Sequence, residues 1–182
     1  THHREKLINA IIYFAKNTKY CGKTKLLKLL YFLDFCHFKQ TGKSVTGLDY
    51  YAWRMGPVPN DLFEELSGSM KSDLAEAIAT VPINEFQKIA PKKSFSEKHF
   101  TGREKKLLER IAFIFKSAKA DDMVEATHLK NQPWDKTLKA KGEFERIDYM
   151  RAIDDTKESL SFQEAEHRNK ELAEMHGIFG TD

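Results

Sequence analysis

Residues 23–40 constrain the fold more tightly than any other part of the chain. Leu26, Leu27, Leu29, Leu30, Tyr31, Phe32, Leu33, Phe35 and Phe38 cover nearly the whole circumference of a helix. Such a helix is stable in water only when other elements wrap it on most sides. It is too short to cross a bilayer and is broken by Lys28, Asp34 and His37. The rest of the chain must therefore be packed around it. With 182 residues and 13 Phe there is enough apolar area for one real core. Gly42 follows where a left-handed residue would end the helix.

The remaining patterns predict a mainly α (α+β) domain. Leu7, Ile8, Ile11, Ile12 and Ala15 have helical spacing over residues 4–16. Val45, Leu48, Tyr50, Tyr51 and Trp53, bracketed by Gly47 and Gly56, predict a short strand or hairpin around residues 45–56. Pro57 and Pro59 lack N–H donors and exclude helix interior, so a short helix should begin at Asn60 or Asp61 and run to Leu66. Another short helix is expected over 72–79, then a loop with a strand near 86–89. Thr101 and Glu104 have capping-box spacing and open a helix expected to reach Lys119. Asp121 or Asp122 should cap a further short helix ending near His128. Trp134 to Leu138 forms one more turn, and a polar helix is expected over 157–176. With no repeat and no flexible linker, residues 1–153 read as one domain and 154–182 as a helical, acidic appendage.

Charge sharpens that division. Residues 87–119 carry ten Lys/Arg against three Asp/Glu, a balance of +7, while 154–182 carry three against eight, a balance of −5. This could serve a charged partner, a nucleic acid or docking of tail on body. Phe95 and Phe100 are too few aromatics for a base-stacking platform in the basic span.

No catalytic, metal or cofactor site emerges. Cys36 lies in the apolar helix, where a thiol is packing, and its neighbour His37 points about 100° away. His37, His99, His128, His167 and His176 show no recognised ligand spacing. Gly42-Lys43-Ser44 ends like a phosphate-binding loop, but His37 stands where the first glycine belongs. Asp34 needs a partner within its apolar helix. A structural ion pair with His37 or Arg54 is the expectation. Residues 4–6 lead into an amphipathic rather than an apolar segment, so a cytoplasmic protein is expected.

Three stretches together resemble a known family. They are Lys25 to Asp34 with Thr41-Gly42-Lys43 and Val45-Thr46-Gly47; Tyr51-Ala52-Trp53-Arg54-Met55-Gly56-Pro57-Val58-Pro59; and Thr127-His128 followed by Pro133-Trp134. The pattern is similar to the Panacea domain, the SocA-like antitoxin domain associated with phages and bacterial toxin–antitoxin operons. The resemblance covers roughly residues 4–153. It implies a cytoplasmic, non-enzymatic antitoxin that neutralises a cognate protein toxin by direct binding, with no cofactor and no membrane partner. Alternatives are an adaptor delivering the toxin to a protease, or a DNA-binding regulator of its own operon, with nucleic acid a secondary partner. Asp34, Tyr51, Trp53, Arg54, Gly56, Pro57, Val58, Pro59, His128 and Trp134 are then framework residues. The toxin-reading surface is expected in residues 71–100 and in the tail, where Leu160, Phe162, Leu172, Met175 and Phe179 form a weak apolar stripe.

Overall fold

Helix α2 (Lys23–Thr41), reached from α1 (His3–Asn17), occupies the centre of the structure, a computed structural model that describes residues 2–179 apart from the side chains of 169, 172, 173 and 176–179. Leu26, Leu29, Leu30 and Leu33 of α2 are fully buried, as its all-round apolar pattern requires. Gly42 ends it with φ +75, where a side chain would be strained.

A two-stranded hairpin follows, with β1 (Tyr51–Trp53) antiparallel to β2 (Gly56–Val58). It overlaps the expected 45–56 region but starts later, because residues 43–50 form a loop tied to α2, and it runs on to Val58. Helix α3 (Asn60–Ser67) starts behind Pro59, and α4 (Ser72–Ala77) is shorter than the 72–79 expected. From Ile78 the chain turns extended. Strand β3 (Ile78–Ile83) pairs in register with β4 (Phe86–Pro91), from Ile78↔Pro91 to Ile83↔Phe86. Pairing with a partner strand overrides the local helical pattern there.

Thr101 caps α5 (Gly102–Ile114) with the expected box: its hydroxyl accepts from Glu104 N, and the Glu104 carboxylate accepts from Thr101 N. The helix stops at Ile114 instead of reaching Lys119. The carbonyls of Phe115 and Ala118 instead accept from Lys25 Nζ on α2, at 2.7 and 2.6 Å. Beyond lie α6 (Ala120–Thr127), α7 (Pro133–Lys141), a 3-10 turn (Tyr149–Ala152) and α8 (Phe162–Phe179). Helix α6 begins after Lys119, with Asp122 accepting from Lys119 N, rather than after an aspartate. Helix α8 begins five residues later than the 157 expected, because Asp154 and Thr156 build a turn first.

The main core joins Leu7, Ile11 and Phe14 of α1 and Leu107, Leu108 and Ile111 of α5 to α2. A second, aromatic cluster joins Tyr31, Phe35, Tyr50, Ala52, Trp134, Ile147 and Ala152 on the other flank of α2. No helix among the described residues is long and apolar enough to cross a membrane.

Candidate binding site

Three charged side chains of α2 point inward, and each meets a different fate. Asp34 is fully buried. Its Oδ1 accepts from the amides of Val45 and Thr46 at 2.8 and 2.7 Å, and its Oδ2 from the hydroxyls of Thr46 and Tyr50. The expected pairing with His37 or Arg54 is not what forms. His37 Nδ1 bonds Lys43 O at 2.6 Å, and Arg54 is exposed. Four donors satisfy the carboxylate and fix the 43–50 loop to α2. Burial still pushes the Asp34 carboxyl above its ordinary range, against the pull of Thr46, Tyr50 and Val45.

Lys25 is equally buried, and its ammonium donates to three carbonyls, those of Lys19, Phe115 and Ala118. Lys28 lies one turn on and is only 2% exposed. Among the described residues it has no hydrogen-bond acceptor and no carboxylate partner, and desolvation alone pulls its ammonium down to about 8. Its Nζ lies 2.8 Å from where a side chain on Gly56 would begin, so the glycine, with φ +110, leaves room for it.

The hairpin and α7 close over this point. Trp134 Nε1 donates to Trp53 O at 2.8 Å, and Trp53 Nε1 donates to Asn60 Oδ1 at 3.0 Å. His128 stacks on Trp134 with ring centroids 3.9 Å apart and planes 2° from parallel. Burial, then the Lys28 charge, lower the His128 pKa. Tyr31 Oη and His128 Nε2 are buried without partners among the described residues. Pro57, Val58 and Pro59 are buried, and Tyr51 pairs with Val58.

In front of Lys28 lies a cleft of about 230 Å³, lined by Leu27, Trp53, Met55, Val58, Phe63 and Phe144, with Lys23, Thr24, Lys28 and Arg54 adding its polar atoms. Phe144 forms one wall. Its backbone pairs with Ala52, it stands 62% exposed, and its φ is +65, a conformation bulky side chains rarely adopt. Lys23 Nζ sits 4.3 Å over the Phe63 ring.

A family model described as antitoxin SocA-like, Panacea domain, matches residues 26–135, more than half of the chain. The chain belongs to this family. Searches of curated proteins and of solved structures gave no match. The residues expected to be the Panacea framework divide accordingly. Asp34, Trp53, Gly56, Pro57, Val58, Pro59 and Trp134 are spent on joints between elements, while Arg54 reaches solvent at the cleft.

The described tail residues differ in exposure. Leu160 is half-buried against Gly42, and its amide donates to Lys39 O at 2.9 Å. Phe162 and Met175 are 59% and 52% exposed. The side chains of Leu172 and Phe179 lie outside the described residues. Cys36 is partly buried, with its thiol pushed up by burial. Away from the cleft, His2, Glu5 and His99 bring ligand atoms within 4.8 Å of one another, with the two imidazoles stacked. Sequence reading missed Lys28, Phe144 and that histidine pair. Lys28 had one legible signal, a cation on a helix with no polar face to hold it.

Proposed function

We propose that this chain is an antitoxin that neutralises a cognate protein toxin by stoichiometric contact, with no chemistry of its own. The supporting observation is the family match, taken with the placement of its motif residues. Asp34 holds a loop, Trp53 and Trp134 hold a hairpin to a helix, and Thr101 with Glu104 caps α5. Side chains committed to backbone groups in this way build a rigid frame, and a rigid surface binds with little ordering cost. Part of the contact surface lies on α8, where Phe162 and Met175 are exposed on an acidic helix. Acidic side chains there would complement a basic toxin surface and speed its capture.

Co-expression with the product of the neighbouring gene tests the proposal. Rescue of growth together with co-purification in equal amounts is the expected result. A toxin inactivated without any stable complex would overturn it.

A further inference from the structure

The cleft in front of Lys28 combines features that a merely structural pocket does not need. Its walls are apolar and aromatic, and every charged residue lining it is basic: Lys23, Lys28 and Arg54. Lys28 is 98% buried by area yet unpartnered among the described residues, whereas Lys25 on the same helix has three acceptors. A desolvated cation without an anion is unfavourable unless something supplies one. At the rim Phe144 is held in a strained backbone conformation with its ring largely in solvent, as are Met55 and Arg54. Strain of this kind persists where the surrounding structure imposes it, and it clusters at binding sites. The volume of about 230 Å³ falls below the range usual for small-molecule pockets and suits a single large side chain.

We infer that this cleft is the anchor point for the partner: it takes one large apolar side chain whose adjacent carboxylate, from an Asp or Glu, pairs with Lys28. The apolar side chain lies between Trp53, Phe63 and Phe144, and the carboxylate supplies the acceptor that Lys28 lacks. Aromatic walls around a desolvated charge are the usual composition of a binding hot spot, with surrounding contacts excluding water. The inference rests on the antitoxin reading for the identity of the partner and places that partner about 20 Å along α2 from the docked start of the tail.

The chemistry of the cleft is tested on the full chain with 3-phenylpropionate, which carries an aromatic ring and a carboxylate, against 3-phenylpropylamine and propionate. Binding is followed through the indole N–H resonance of Trp53. Phenylpropionate should shift it at millimolar concentration. The amine should not, and Lys28→Met should weaken phenylpropionate binding by about tenfold or more. The neighbouring toxin provides the second arm. Phe144→Ala, at an exposed position, and Lys28→Met should each reduce toxin affinity by about tenfold or more while keeping cooperative melts. If wild type neutralises the toxin and both variants bind it within about twofold of wild type, the anchor is refuted and the antitoxin reading survives. If wild type neither binds nor neutralises the toxin, both fall. Equal shifts from the acid and the amine would remove the role of Lys28.

Discussion

Replacing Lys28 with methionine should make this protein more stable, and the gain should depend on pH. The side chain is 2% exposed, its ammonium facing the cleft with no acceptor among the described residues, and its pKa falls from the ordinary 10.5 to about 8. At 1.36 kcal/mol per pH unit, that fall corresponds to about 3 kcal/mol of penalty on the charged form in the folded state. The sign follows from proton counting. Between about 8 and 10.5 the unfolded chain holds the proton more often than the folded one, so stability rises with pH across that window. Below it the penalty is complete; above it the penalty is gone. Methionine keeps the length and apolar stem without the charge. Lys28→Met should therefore gain about 3 kcal/mol at pH 7, or about 6–12 °C in Tm for a chain of this size. Urea unfolding of both proteins at pH 7 and pH 10 measures it, and the difference should shrink at pH 10. Lys25→Met is the control. It leaves three carbonyls without their donor and should cost about 3 kcal/mol or more. A Lys28→Met protein less stable than wild type at pH 7, or a gain equal at both pH values, would refute the reasoning.

Asp34→Asn keeps the shape and half the acceptors and should cost about 1–3 kcal/mol in urea unfolding, whereas Asp34→Ala strands four donors and should cost about 4 kcal/mol or more; an Ala variant as stable as wild type would show that the loop does not depend on the carboxylate. Gly56→Ala puts a methyl 2.8 Å from Lys28 Nζ and Thr127 Oγ1 at φ +110 and should lose about 1–3 kcal/mol, read as a lower Tm. Deleting everything after Ile153 removes the Lys39–Asp154 ion pair and the Arg168 bond to Thr41 O but leaves both core clusters nearly whole. The shortened chain should still melt cooperatively, with toxin affinity reduced by about tenfold or more; undiminished neutralisation would rule out the tail as a contact surface.

What was legible in the sequence was local. The circumference of α2, the box at Thr101 and Glu104 and the left-handed Gly42 are each specified within a few residues. The partners of Asp34 were not legible, because two of them are backbone amides, and an amide carries no sequence signal. Helix α5 ended early for a similar reason: the carbonyls of Phe115 and Ala118 turn to a lysine 90 and 93 positions away. At 78–79 the helical rhythm gave way, and at 80–83 the expected loop became strand, because β4 offered a full ladder. The candidate cleft was half legible. Trp53 and Gly56 stood out by motif, yet Lys28 read as a break in an apolar run, and Phe144 has a role only once residues 144–147 lie beside β1.

The β3–β4 hairpin is attached to the body along β4, where Ile89 N donates to Cys21 O, Gly22 bridges Lys88 and the Phe86 ring lies against Gly22. Toward its turn, Ala79 is half-buried and residues 80–85 are exposed, with Asn84 at φ +55. Little in the core depends on what sits at that tip. It is therefore a natural place for sequence drift between relatives, and a practical one for grafting a loop, an affinity tag or a fluorophore without disturbing the frame.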